Sequence, residues 1–172
     1  YRILVVGGRC AVNIPNAIQS KGKKIIFVGD EFQSIFNKIG FITREQITWV
    51  KGYNENHFQG NNTAWGSWKS PSNPYMRSLT EKVIVLSKET LKLEGKETDI
   101  TANEFKEWTK NCWFIPTDSS PEHPATFPFE LAKRVIKLYS WVGNMVLDPF
   151  SGRGTTCIMA QRLNRNYIGI DL

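Results

Sequence analysis

Cysteine and histidine are scarce, with 3 and 2 in 172 residues. Cys10, Cys112 and Cys157 are far apart and odd in number, which argues against a disulfide framework and a structural zinc site and fits a reducing cytosol. No apolar run approaches the length of a membrane span. The N-terminal YRILVVGGRC has neither the charged lead nor the small-residue cleavage site of a signal peptide. Internal repeats and low-complexity tracts are absent. Acidic residues are thin in the first half: residues 1–88 hold 12 Lys/Arg against 5 Asp/Glu, residues 89–112 hold 4 against 6, and residues 113–172 hold 6 against 5. The excess of positive charge there admits a polyanionic partner, although most mildly basic domains are merely soluble.

What is present suits one domain with an ordinary core, 41% of residues being hydrophobic. A Gly-Gly turn at residues 7–8 precedes a strand over 9–14. Phe32, Ile35, Phe36 and Ile39 recur at helical spacing, and Gly40 ends that helix. FITREQITWV and EKVIVLSK read as an antiparallel pair of strands. Between them, residues 51–77 are crowded with Gly, Asn, Ser and Pro and form a long loop. Residues 101–113 predict a helix starting at Thr101, with Phe105, Trp108 and Cys112 facing inward. Pro116, Pro121, Pro124 and Pro128 mark an extended connector, and Phe127, Leu131, Val135 and Leu138 share a face of the next helix. Strand 144–148, a glycine turn, helix 155–163 and strand 166–171 make one βαβ unit.

The turn DPFSGRGTT carries the chemistry. Glycines here let backbone approach a ligand at a helix N-terminus. A P-loop needs four residues between its glycines and then Lys-Ser/Thr, whereas a single Arg153 separates Gly152 and Gly154 and no lysine follows. The dinucleotide fingerprint fits only in part, because Cys157 takes the third glycine's place. Asp148 would repel a pyrophosphate over the turn and attract a cation. S-adenosylmethionine carries an ammonium and a sulfonium and no phosphate. Asp171, at the end of the next strand, suits a grip on ribose hydroxyls. On the plainer alternative, Asp148 caps the following helix and Asp171 is a solvated strand end.

DPFSGRGTT with YIGIDL resembles the cofactor half of the amino-methylating DNA methyltransferases, which act on cytosine N4 or adenine N6. EHPATFPFELAKRVIKLYS resembles the segment that precedes the glycine motif in the permuted, beta-type order; RILVVGGRCAVNI and TAWGSWKSPSNPYMRSLTEKVIVLSK are similar to their strand entry and recognition loop. The resemblance covers nearly all of the chain. It implies an α/β fold, a Rossmann-like mixed methyltransferase sheet with an antiparallel hairpin, in a single domain: residues 1–50 form the C-terminal half of the sheet, 51–115 a DNA-recognition loop, strand and insert, and 116–172 the cofactor-binding βαβ. It implies S-adenosylmethionine as cofactor, duplex DNA as partner, no metal, no membrane, and a prokaryotic-type cytoplasmic, nucleoid-associated setting within restriction-modification. Asp148, Phe150, Gly152 and Gly154 would wrap the methionine end, Thr155 and Thr156 would start the helix beneath it, Asp171 would hold the ribose, and His123, Pro124, Ala125 and Thr126 would close over the methionine carboxylate. Without the family, His123 reads as a surface-loop histidine.

The family's Ser/Asp/Asn-Pro-Pro-Tyr/Phe tetrapeptide is missing, because there is no Pro-Pro dipeptide. In the beta-type order it lies N-terminal to everything seen here, on a strand between those of Val146 and of Cys10–Val12. Two apolar strand edges are then expected to face a gap, which makes the chain a fragment or one half of a split enzyme needing a missing N-terminal segment or companion chain. Ser72, Asn73, Pro74 and Tyr75 mimic the tetrapeptide, but inside a loop and in the wrong order; a simple proline turn is the alternative. The target amine lies inside the duplex, so the base must flip out. Trp65, Trp68 and Tyr75, interleaved with Lys51, Lys69 and Arg77, offer stacking and charge; Asn61, Asn62, Ser70 and Asn73 offer base-edge contacts. The competing readings are a catalytically incomplete DNA- or cofactor-binding subunit and an RNA or small-molecule methyltransferase.

Overall fold

The computed structural model describes residues 1–19, 25–54, 57–58, 65–76, 78–118 and 128–171. The main sheet is organised around β6 (Thr80–Lys88), which pairs antiparallel with β1 (Arg9–Pro15) on one side and with β4 (Phe41–Asn54) on the other. Residues Val83–Ser87 are all buried, as a central strand with both faces covered requires. Successive side chains go to opposite cores. Ile84 and Leu86 pack with Ile14 and Phe41 beneath α1 (Val28–Ile39), while Val83 and Val85 pack with Ile47, Trp49, Trp113 and Leu131. Burying each of these side chains contributes roughly 1.5–3 kcal/mol before the entropy of ordering them is counted. The two deepest tryptophans satisfy their indole N–H groups internally: Trp49 donates to the Ile115 carbonyl at 2.8 Å and Trp113 to that of Trp108 at 3.0 Å.

Two short strands form a separate antiparallel pair, β2 (Ile18–Gln19) and β3 (Ile25–Ile26). Gly40 ends α1 in the left-handed conformation, as expected, at φ +105°. Of the apolar stripe on α1, however, only Phe36 packs into the core; Phe32, Ile35 and Ile39 are exposed. Beyond β4 the expected loop contains β5 (His57–Phe58), which pairs with Gly52 and Asn54. The helix expected at Thr101 is α2 (Ala102–Trp108), closed by a reciprocal capping box between Thr101 and Glu104. Trp108 faces inward, but Phe105 and Cys112 do not, because α2 stops early and Cys112 opens a strand, β7 (Cys112–Ile115). β7 runs parallel to β4, with Thr48 beside Cys112 and Lys51 beside Ile115.

The expected βαβ unit follows α3 (Phe129–Tyr139): β8 (Met145–Asp148), α4 (Thr155–Arg162) and β9 (Asn166–Gly169), with β8 and β9 parallel. β9 is shorter than the 166–171 expected, and Phe127 lies outside the described residues. Helix α3 joins the two halves, since Leu131 packs on the main sheet while Ala132 and Ile136 pack with Met159 and Ala160 of α4. Arg165 pins the same junction from within. Its buried guanidinium donates to Asp99 at 2.7 and 2.9 Å and to the carbonyls of Ser140 and Leu163. Of the charges in residues 89–112, Asp99 and Glu104 thus reach the C-terminal half, through Arg165 and Lys137, while Lys92 and Lys110 pair with Glu94 and Glu107 beside them. Among the described residues the sheet is interrupted: β8 pairs only with β9, and β1 only with β6. No described helix is long and apolar enough to cross a membrane.

Candidate functional site

Strands β1, β4 and β7 run in the same direction, because β6 is antiparallel to both β1 and β4 and β7 is parallel to β4. The C-terminal end of α3 lies at the starts of β1 and β4, where Tyr139, Ser140 and Trp141 share a cavity wall with Arg9 and Arg44. β8 begins a few residues beyond that end and closes on Asp148, while β4 and β7 run to the opposite end, where β4 enters the 51–77 loop. Open α/β sheets bind ligands at this carboxyl end of their strands.

Asp148 closes β8, and its carboxylate accepts the backbone N–H of Phe150 at 3.0 Å. The turn is then laid across β9: Ser151 donates its N–H to the Ile170 carbonyl at 2.8 Å and its hydroxyl to the same oxygen at 3.1 Å, while Ile170 donates back to the Asp148 carbonyl at 2.9 Å. Gly152 and Gly154 hold φ of +47° and +77°, left-handed values that favour glycine. Among the described residues nothing stands within 4 Å of where a Cβ would be at either position, so those residues leave the surface over the turn open. Gly154 is the N-cap of α4, which has no side-chain cap and no acid in its first turn. That leaves Thr155 and Thr156 at a helix N-terminus whose backbone donors no described side chain caps. Phe150 is 87% exposed, an aromatic ring held out from the turn. Asp171 follows β9, exposed, two residues beyond the Gly169 that sits beside Asp148. The expected pair of carboxylates thus stands at the ends of adjacent parallel strands, with the glycine turn between them.

Sequence reasoning missed two participants, Ser151 and Gly169. A Cβ on Gly169 would come 2.7 Å from Cys157 Sγ and 3.1 Å from Ser151, so only glycine lets the turn and α4 close on β9. The signal was available, since a glycine inside the strand YIGI marks a close approach. Cys157 is buried, and burial followed by the Asp148 charge pushes its thiol up, away from nucleophilic use. His123, Pro124, Ala125 and Thr126 lie outside the described residues.

The 65–76 segment is a braced turn. Ser67 and Asn73 exchange contacts: the Ser67 N–H donates to the Asn73 carbonyl and the Asn73 N–H to Ser67 Oγ, both at 2.8 Å. Tyr75 closes the turn on the Trp65 carbonyl at 3.0 Å. Ser70 takes part, accepting from the Ser67 hydroxyl at 2.7 Å. Trp65 and Trp68 meet edge to face at 5.3 Å, and Lys69 Nζ lies 5.7 Å over the Trp68 ring. Both tryptophans are exposed rather than tucked beneath the turn, Trp68 at 65%. Lys51, in contrast, is committed to the sheet through Glu81 at 2.5 Å. Ser72, Asn73, Pro74 and Tyr75 lie within this turn and not at the end of a buried strand. Asn61, Asn62 and Arg77 lie outside the described residues.

Comparison with known proteins decides the family. The N6/N4 DNA methylase family model matches residues 1–172. The chain belongs to the DNA methylase family. Its sequence is similar to Type II methyltransferase M.MjaI of Methanocaldococcus jannaschii, 33% identical over 186 residues that take in 100% of this chain and 59% of that protein. It is also similar to Type II methyltransferase M.MthZI of Methanothermobacter thermautotrophicus, at 31% identity over 99% of this chain and 52% of that protein. This DNA methylase chain thus spans just over half the length of these relatives. Among solved structures it resembles TTHA0409 of Thermus thermophilus, complexed with S-adenosyl-L-methionine, with a TM-score of 0.79 at 26% identity over 99% of this chain and 66% of that one. The PvuII cytosine-N4-specific DNA methyltransferase shares the fold, with a TM-score of 0.70 at 19% identity over 96% of this chain and 59% of that one. The methylase sheet is thus the expected Rossmann-like one, mixed, with an antiparallel hairpin.

Proposed function

We propose that the chain is the cofactor-binding and DNA-recognition portion of an S-adenosylmethionine-dependent methyltransferase acting on the exocyclic amine of cytosine N4 or adenine N6 in duplex DNA. The observation that carries this is the pair of carboxylates, Asp148 and Asp171, at the ends of two adjacent parallel strands, with between them a glycine-turned helix N-terminus that the described residues leave uncovered. The donor set fits a cationic ligand without phosphate: a carboxylate stands at the mouth of the turn, and no lysine or second arginine lies within it. The solved relative TTHA0409 complexed with S-adenosyl-L-methionine supports the choice of cofactor.

When bound, S-adenosylmethionine supplies an electrophilic methyl carbon on sulfonium sulfur. Asp148, Phe150, Gly152 and Gly154 would hold its methionine end, with Thr155 and Thr156 beneath. Asp171 would accept hydrogen bonds from the ribose hydroxyls. His123, Pro124, Ala125 and Thr126 would complete the enclosure. The exposed Trp65, Trp68 and Tyr75, with Lys69, Ser70 and Asn73 and with Asn61, Asn62 and Arg77, form the DNA-facing set; the Glu81-bound Lys51 supports it from the sheet. The reaction is chiefly one of positioning, an amine aligned with the methyl carbon. The groups that accept the amine's hydrogen bonds would come from a Pro-Pro-Tyr type motif on a further strand, for which β1 and β8 each have an edge left unpaired among the described residues.

Calorimetry tests the cofactor reading apart from activity. The chain is expected to bind S-adenosylmethionine, and Asp171→Ala to weaken binding about 10- to 100-fold, the range for losing charge-assisted hydrogen bonds. Absence of binding, or an Asp171→Ala chain that binds as tightly as the parent, overturns it. Labelled methyl transfer to duplex DNA, RNA and free nucleosides, with the companion strand supplied, then tests the substrate.

A further inference from the structure

We propose that the cavity at the other end of the sheet, where β1 and β4 begin, is a second ligand site, and that Arg9 and Arg44 hold the oxyanion of a small phosphate- or carboxylate-bearing molecule there. The cavity has a volume of about 210 Å³. Its lining includes the polar Arg9, Arg44 and Tyr139 together with the apolar Ile100, Leu138 and Trp141.

The two guanidinium groups are brought together at the starts of β1 and β4, where Arg9 also donates to the Gly7 carbonyl and to Ser87 Oγ at 2.6 Å, whereas the Leu91 carbonyl is the acceptor for Arg44 among the described residues. Arg9 is the first residue of β1. Arg44 is the extra residue of a bulge in β4: Thr43 pairs with Leu86 and Glu45 with Val85, which leaves Arg44 without a partner on β6. Bulges re-aim side chains in this way. Both arginines then donate to a single neutral acceptor, the Leu91 carbonyl, Arg9 Nη2 at 2.8 Å and Arg44 Nη1 at 2.7 Å. Arg44 Nε is buried with no hydrogen-bond partner. Among the described residues no carboxylate forms an ion pair with either arginine. The neighbouring cations are taken elsewhere, Lys137 by Glu104 and Lys88 by Glu89.

Two like charges converging on one carbonyl, with a buried donor left over, are an unbalanced arrangement that an oxyanion would balance. The titratable groups around it agree. Arg9 is held below its ordinary value by burial and then by Arg44. The Tyr139 hydroxyl is pushed up to about 12 by burial and then by the charge of Glu45, so it remains a protonated donor at neutral pH. Glu45 is exposed and does not line the cavity. None of the residues lining the cavity belongs to the glycine turn or the 65–76 turn, so the site is independent of the methyl-transfer reading. Its apolar lining suits a small organic body.

The test is titration of the full chain with inorganic phosphate and with acetate, each at constant ionic strength against chloride. Thermal unfolding and the 15N–1H resonance of Arg44 Nε are followed. At least one probe is expected to raise Tm saturably and to move the Arg44 resonance with the same midpoint, and Arg44→Gln to weaken that response at least tenfold. Response to phosphate alone assigns a phosphate ligand, response to acetate alone a carboxylate. A response no greater than that to chloride, or one unchanged in Arg44→Gln, overturns the proposal. Should Arg44→Gln fail to fold, the resonance of the parent chain decides: no saturable movement with either probe refutes the site.

Discussion

Lys69 holds a backbone conformation that lysine seldom adopts, with φ +51°, at the tip of the braced 65–76 turn. The hydrogen bonds between Ser67 and Asn73 and between Trp65 and Tyr75 fix that conformation, and the ammonium is left lying over the exposed Trp68 ring. A cation displayed this way suits a phosphate rather than a base edge. Lys69→Ala is therefore expected to weaken binding uniformly across duplex sequences and to reduce the slope of log K against log[salt] by about one. Binding isotherms over a salt series would show it, and an unchanged slope removes Lys69 from the phosphate contacts. At this scale the sequence reveals residues whose identity is dictated by chemistry. Asp148, Gly152 and Gly154 are legible because a cation needs a carboxylate and a tight turn needs positive φ. Gly169, Arg165 and Arg44 are not, because what they do depends on partners distant in sequence: Cys157 and Ser151, Asp99 and Ser140, and the Leu91 carbonyl.

Helix α2 shows how one side chain can serve its own element and tie it to another. Glu104 accepts the Thr101 N–H at 2.9 Å, which completes the capping box, and also binds Lys137 of α3 at 2.7 Å. Burial would raise its carboxyl, but the Lys137 hydrogen bond and the Thr101 contacts outweigh burial and bring it from 4.5 to about 2. A carboxyl lowered on folding stabilises the native state above its unfolded value, and that contribution is lost as pH falls through the folded value. Between pH 4.5 and about 2 the parent chain is thus expected to lose stability that a Glu104→Gln chain has already lost. At neutral pH the substitution should cost about 2 kcal/mol, the order of a charge-assisted hydrogen bond together with part of a cap. Denaturant unfolding at a series of pH values checks this; parallel pH profiles for the two chains would contradict it. The start of α2 was legible because a capping box is local. The inward face assigned to Phe105 and Cys112 was not, because β7 forms only by pairing with β4, sixty-odd positions away. Likewise the period of α1 located the helix without telling which part of its stripe is covered.

At the level of the whole molecule, α3 holds together two sheets that, among the described residues, do not hydrogen-bond to each other. The α/β class, the antiparallel hairpin and the terminal βαβ unit could all be read from local pattern, since each is set by periodicity and turn chemistry. The discontinuity could be read only through the family resemblance, because nothing within β1 or β8 records which neighbour either strand expects. Among the described residues each has a single partner, and the face of β8 away from α4 leaves Met145 59% exposed with Leu147 and Ile168 beside it. Unpaired edges and uncovered apolar surface are costly in water, and one strand inserted between β8 and β1 would satisfy both edges at once. A companion segment carrying a Pro-Pro-Tyr type motif, supplied within a longer polypeptide or as a partner chain, is therefore expected to slow amide exchange at alternate residues of both β1 and β8, about 100-fold or more, as closure of a ladder does. Exchange at the β6-facing amides of β1 should change much less, because those bonds already exist. Protection of both edges in this chain alone would mean that the sheet closes by another route. Protection on one edge only would place the companion outside the gap and remove the strand that brings the target amine to the cofactor.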